Sequence, residues 1–189
     1  YQEVTGVQTC ALPIWLNLWL GSWAGFLLGR RLAPYVPSPP HVGRRMLRLA
    51  DAGQGDTVLD LGCGDGRLLV EACGPRFGCR RGDGYELDPA LAAEARRAVA
   101  AAGLGTRVRI HEACAKGADL SGASVVLLYL SERGNGELLP QLRRDLRPDA
   151  RVATFAFPIP GCQPSSSSRV DGISLFLYDA AALKPGGRS

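Results

Sequence analysis

Two acids and three glycines stand at spacings that suit a small, positively charged nucleoside. The stretch TVLDLGCGDGR, residues 57–67, runs β-forming residues into Asp60 and then places Gly62, Gly64 and Gly66 at every second position. Glycines at such a bend remove side chains where the chain turns sharply and where a ligand meets backbone. The N–H groups at the start of the following helix then face that ligand. A dinucleotide fingerprint, GxGxxG, needs its third glycine at position 67, which holds Arg67. Asp60 lies two residues before the first glycine, where a carboxylate repels a pyrophosphate but accepts hydrogen bonds from an ammonium group. Glu86 follows Gly66 by 20 residues, at the end of a second β-like run, and an acid there can take both hydroxyls of a ribose. Taken singly, Asp60 also reads as a lone cap acid, and Glu86 as an exposed acid ahead of a helix capped by Asp88. Taken together, they describe a ligand with a ribose, an α-amino group and no phosphate. S-adenosylmethionine fits that description.

These residues need a scaffold of alternating strands and helices, and the sequence supplies one. DTVLDLG is an apolar run that reads as a buried strand, and DGRLLVEACGPRFG reads as a helix. CRRGDGYELD holds a short strand ending at Glu86. PALAAEARRAVAAAGLG is a helix bounded by Pro89 and Gly103. TRVRIHEA, ASVVLLYL and ARVATFAF are further strands, and GELLPQLRRDLRP is helical up to Pro148, with Pro140 able to shift its start. SSRVDGISLFLYD carries Asp171-Gly172 between two β-like runs, a hairpin signal. Ahead of the first strand, HVGRRMLRLADAG places Val42, Met46 and Leu49 on one helical stripe and ends at Gly53. The order implies an α/β, Rossmann-like fold: a mostly parallel sheet, helices on both faces and a C-terminal antiparallel hairpin. In such sheets the ligand sits at the carboxyl ends of the strands, where the glycine turn lies.

The chain has 189 residues, 46% of them hydrophobic, enough for one domain with a real core. Its net charge of +4 is mild, and its Arg-Arg pairs are scattered, so they read as solvated faces and no nucleic-acid partner is expected. Six cysteines form no CxxC pair and only His41 and His111 are present, which argues against a metal site or a disulfide framework. A reducing, cytoplasmic setting follows. Residues 11–29, ALPIWLNLWLGSWAGFLLG, carry no charge and as a helix span about 28 Å, close to the hydrocarbon thickness of a bilayer. Arg30 and Arg31 follow at once and orient the remaining chain toward the cytoplasm. A buried or surface-lying helix and a cleaved signal are the alternatives. The organisation expected is a leader over 1–13 that is not native, an anchor helix over 14–31, and a proline-rich linker over 32–41. A catalytic domain over 42–182 and a tail over 183–189 complete it.

DLGCGDGR, GYELDP and FPIPG, preceded by the apolar run and YVPSPP, resemble the class I methyltransferases. More narrowly, the series resembles their membrane-anchored group, the lysine methyltransferases of the adenine nucleotide translocase and of the ATP synthase c subunit with their bacterial relatives. The resemblance implies S-adenosylmethionine as cofactor, held by Asp60, Gly62, Cys63, Gly64 and Gly66 at the methionine end. It gives the ribose to Glu86, with Leu87 beside it, and the adenine to the region of Cys114. YVPS is similar to the cofactor-covering segment of histone lysine methyltransferases of this fold, which implies that Tyr35 and Ser38 help close the site. Cys114 departs from the acid or amide usual at the end of the third strand and is a poor acceptor for an adenine amino group, a place that Glu112 can fill. Cys162 stands where relatives often carry an aromatic residue. Tyr129 and Glu132, closing the fourth strand, are the candidates for guiding and deprotonating an acceptor amine. The implied activity is methylation of a protein lysine at the cytoplasmic face of the inner membrane. Methylation of a lipid or small molecule, a non-catalytic cofactor-binding module and an NAD-dependent oxidoreductase are the rival readings.

Overall fold

Every residue of the strand Thr57–Leu61 is buried, so the sheet it belongs to is covered on both faces. The computed structural model describes residues 32–184 together with Leu27. In chain order the elements are α1 (Pro40–Leu49), β1 (Thr57–Leu61), α2 (Arg67–Cys73), β2 (Arg81–Glu86), α3 (Pro89–Ala101) and β3 (Val108–Glu112). A single 3₁₀ turn (Ala115–Gly117) precedes β4 (Val125–Leu128), α4 (Glu132–Asp145), β5 (Arg151–Phe155), β6 (Ser166–Val170), β7 (Ile173–Asp179) and α5 (Ala180–Leu183). The strands form one sheet in the order β3-β2-β1-β4-β5-β7-β6. The first five pair in parallel, and β7 runs antiparallel between β5 and β6. The Rossmann-like sheet with a terminal antiparallel pair is therefore observed. Asp171 and Gly172, both at positive φ, close the β6–β7 hairpin.

Strand order reverses between β1 and β4, which opens a crevice at their carboxyl ends. Asp60 lies near that edge, flanked by Gly84 on β2 and Leu127 on β4. Alternation puts Val58 and Asp60 on the face packed by Met46, Leu47, Leu69 and Val99 of the first three helices. Leu59 and Leu61 face Leu138 and Leu142 of α4 on the other side. Gly84 allows α2 to approach β2 closely. A Cβ there would meet Cys63 Sγ and Leu69 Cδ1, each at 2.7 Å.

Three element boundaries differ from expectation. Helix α1 stops at Leu49, short of Gly53, because Asp51 turns left-handed at φ 48°. Helix α2 ends at Cys73, since Gly74 precedes Pro75 and is extended at ψ 178°. Helix α4 begins at Glu132, four residues ahead of Gly136, which opened the expected run. Ser131 caps it by accepting from Gly134 N at 3.0 Å, and the helix runs through Pro140. The anchor expected over 14–31 and the leader over 1–13 lie outside the described residues, apart from Leu27. Among the described residues no helix is long and apolar enough to cross a membrane.

A polar clip fastens the N-terminal helix to the sheet. Arg151 Nη1 donates to the carbonyls of Ala50 and Asp51, at 2.5 and 2.8 Å, and its Nη2 pairs with Asp56. Asp56 also accepts from Gly53 N at 2.8 Å and from Ser124 Oγ at 2.7 Å. Both ends of the Arg151–Asp56 pair are mostly shielded, with side chains 25% and 12% exposed. Arg151→Ala is expected to destabilise the fold by about 2 kcal/mol, because it removes the charge partner of a mostly shielded carboxylate and the donor to two helix-end carbonyls. Urea denaturation of the variant checks this.

Candidate functional site

The turn after β1 is pinned to the end of β2 by its own backbone. Gly62 N and Cys63 N both donate to Tyr85 O, at 2.8 and 3.0 Å. Glu86, 7% exposed, then reaches back: its Oε2 accepts from Gly64 N at 2.9 Å and its Oε1 from Asp88 N at 2.8 Å. These two bonds orient the Glu86 carboxylate between the turn and the head of α3.

Asp60 is 2% exposed, and its Oδ2 has no hydrogen-bond partner. Burial first, then the charges of Glu86 and Asp65, push its pKa up to about 8. A buried, unpartnered carboxylate oxygen is costly, and a cation beside it relieves both burial and repulsion. The α-ammonium of S-adenosylmethionine is such a cation, and two acids one strand apart match its amino-acid and ribose ends. The residues present thus fit the cofactor.

One cavity gathers most of the residues singled out in the sequence. Asp60, Gly62, Cys63 and Gly64 line it from the turn, and Glu86 and Leu87 from the end of β2. Cys114 lines it beyond β3, Tyr129 beyond β4, and Tyr35 and Ser38 from the segment ahead of α1. Two of the named residues fall elsewhere. Gly66, at φ 78°, packs against Ala95 of α3, where a Cβ would come within 3.0 Å of the Ala95 Cβ. Asp65 and Arg67 on either side of it line the cavity, while Gly66 itself gives α3 room to pack against the turn. Glu132 is the exposed first residue of α4 and is not in the lining, since the early helix start directs it outward. Glu112 is likewise exposed, pairing with Arg96 at 3.3 Å.

Residues 32–38, expected as the larger part of a linker from which Tyr35 and Ser38 help close the site, form a strap over the turn. The Tyr35 ring rests on Gly64, where a Cβ would meet Tyr35 Cε2 at 2.7 Å. Burial and the nearby Asp65 push the Tyr35 hydroxyl up to about 12. Arg67 pairs with Asp65 and donates from Nη1 to the Ser38 carbonyl at 3.0 Å. The residue that broke the dinucleotide pattern is therefore the latch of the strap. Lys116, on the 3₁₀ turn, and Glu137, on α4, also line the cavity and bond to each other at 2.6 Å. The Tyr129 ring meets Phe155 edge-on at a centroid distance of 4.7 Å, and burial raises its hydroxyl pKa. Among the described residues no cluster of His, Cys, Asp and Glu is grouped as metal ligands.

Comparison with known proteins points the same way. The ANTKMT methyltransferase domain family matches residues 60–166. A protein-lysine N-methyltransferase of Saccharolobus islandicus (strain REY15A) is 36% identical over 138 residues, covering 73% of this chain and 85% of that protein. The adenine nucleotide translocase lysine N-methyltransferase of Mus musculus is 31% identical over 156 residues, 82% of this chain and 67% of its own length. A crystal structure of an RNA methyltransferase from Salinibacter ruber, in complex with S-adenosyl-L-homocysteine, superposes with a TM-score of 0.76 at 34% identity. The match covers 80% of this chain and 97% of that one.

The raised pKa of Asp60 has a definite consequence for binding. With its pKa pushed up to about 8, Asp60 is expected to hold a proton at pH 7 in the ligand-free protein, and pairing with an ammonium requires its release. S-adenosylhomocysteine, which keeps the α-ammonium, should bind with release of close to one proton at pH 7 and more tightly as pH rises from 6 to 8. In the ligand-free state the sign is opposite. The folded pKa lies above the unfolded one, so stability falls as pH rises from about 4 toward 8. Asp60→Asn is expected to remove the proton release, weaken binding at least about tenfold and raise the ligand-free melting temperature at pH 7. Calorimetry in buffers of differing ionisation enthalpy, with thermal melts, reads all three.

Proposed function

Because the chain belongs to the ANTKMT methyltransferase domain family and is a class I S-adenosylmethionine-dependent methyltransferase, we propose that it methylates the side-chain amine of a protein lysine. The observation that carries the cofactor half of this reading is the unpartnered Asp60 oxygen inside the cavity. The acceptor half is supported by the names of the Saccharolobus and mouse relatives.

The bound cofactor supplies a methyl group already activated on a sulfonium. The chain's own residues bind and orient. Asp60 takes the ammonium, and Glu86 takes the ribose hydroxyls while holding the turn. The strap over Gly64 excludes water from one side, which strengthens these charge contacts. Tyr129, backed by Phe155, forms an aromatic wall along which an alkylamine can lie. A free lysine, with a pKa near 10.4, must lose its proton before it can attack. Glu132, exposed and outside the cavity, is not placed to take it. Loss of water as the amine enters the cavity disfavours the ammonium form, so desolvation lowers the lysine pKa and the proton leaves to solvent.

The same reading includes a membrane setting. The uncharged run of residues 11–29, followed by Arg30-Arg31, suits an anchor that holds the domain at the cytoplasmic face of the inner membrane. Tethering raises the effective concentration of substrates embedded in that membrane. The strap begins directly after this run in sequence, so such an anchor would hold the site close to the surface.

A second reading, methylation of RNA, is favoured by one observation, the description of the Salinibacter relative. Incubating the full chain with labelled S-adenosylmethionine, membranes and total RNA separates the two. The expected label is in protein, sensitive to protease, and is identified as methyl-lysine by mass spectrometry. Asp60→Asn should abolish it. Label that is sensitive only to nuclease, or that extracts with lipid, would overturn the lysine assignment.

A further inference from the structure

Resting on the cofactor reading above, the geometry points to Glu137 and Lys116 as the pair that recognises the adenine ring. Asp60 lies on β1 and Glu86 on β2, and the next strand in the sheet is β3. A nucleoside with its ammonium at Asp60 and its ribose at Glu86 must extend its base past β2, toward the residues after β3. There the cavity is lined by Leu87, Cys114, Ala115 and Lys116, with Leu130 and Glu137 from the β4 side.

An adenine edge carries an amino group that needs an acceptor, beside a ring nitrogen that needs a donor. The thiol of Cys114 is a weak acceptor. Glu112 is turned away to Arg96. The side chains of Leu87 and Leu130 carry no polar atoms, and the Tyr85 hydroxyl accepts from Asp119 N at 3.3 Å. Glu137 is a full carboxylate acceptor in this part of the lining, and its partner Lys116 is a donor 2.6 Å away. An acceptor and a donor side by side reproduce the complement of the adenine edge. Arg133 Nε, 3.4 Å from the other oxygen of Glu137 and one helical turn before it, fixes the carboxylate's orientation.

The pair takes the place of the acid that the third strand usually supplies, and it moves that function to a helix on the far side of the base. It is exposed enough that removing it should not unfold the chain, since surface ion pairs contribute little to stability.

The test compares S-adenosylhomocysteine with S-inosylhomocysteine by calorimetry. The second ligand replaces the 6-amino group by an oxygen and so inverts the donor and acceptor of that edge. The full chain should prefer the adenine ligand by at least about tenfold. Glu137→Ala should lose about tenfold for the adenine ligand, leave the inosine ligand within about twofold, and keep its melting temperature. Glu137→Gln, which can donate as well as accept, should move the preference toward the inosine ligand. Adding Cys114→Asp to Glu137→Ala should restore adenine affinity. Unchanged affinity and preference in both Glu137 variants would overturn the assignment. Binding of neither ligand by the unaltered chain would overturn the cofactor reading itself, and this assignment with it.

Discussion

A carboxylate with 2% of its surface exposed, held between Gly84 and Leu127 in the middle of a parallel sheet, is the most demanding group in this molecule. Its Oδ2 has no hydrogen-bond partner, and Glu86 and Asp65 add like charge to the same space. Nothing in the packing of the fold requires an acid there; the neighbouring strand positions hold leucine and valine. The position is intelligible only if a cation completes it, and the surrounding structure is arranged to deliver that cation in one orientation. The acid weakens the fold when the site lacks a ligand and strengthens the complex when one is bound, a division common at binding sites.

Two close approaches make the arrangement possible. Gly84 lets Cys63 and Leu69 press onto β2, which brings the turn after β1 within 2.9 Å of the Glu86 carboxylate. Gly64 lets the Tyr35 ring lie on the turn itself, and Arg67 ties the strap down through the Ser38 carbonyl. The segment after the apolar N-terminal run is therefore part of the site and more than a spacer.

The acids and glycines of the site could be read from the chain because a strand, a tight turn and a helix impose fixed spacings. Asp60, Gly64 and Glu86 fall where that geometry demands. Arg67 was visible only as a break in a dinucleotide pattern, since its contact with Ser38 spans 29 residues and leaves no local trace. Lys116 and Glu137 were invisible for the same reason, meeting only because α4 folds back beside the 3₁₀ turn. The start of helix α4 was read four residues late, at Gly136, in a stretch that holds Gly134, Gly136 and Pro140. The Ser131 cap and the burial of Leu138, Leu139 and Leu142 outweigh them. That error carried Glu132 into the site, although as the first helical residue it faces solvent. Gly66 was read as a ligand contact, but it serves the contact with Ala95.

Direct titration of the Asp60 carboxyl by carbon-detected NMR, with and without S-adenosylhomocysteine, interrogates the heart of this account. The ligand-free resonance should titrate near 8, and saturation with the ligand should move the midpoint down by several units as the ammonium arrives. A midpoint close to 4 that the ligand leaves in place would contradict it, for the acid would then be neither strained by burial nor paired with the cofactor.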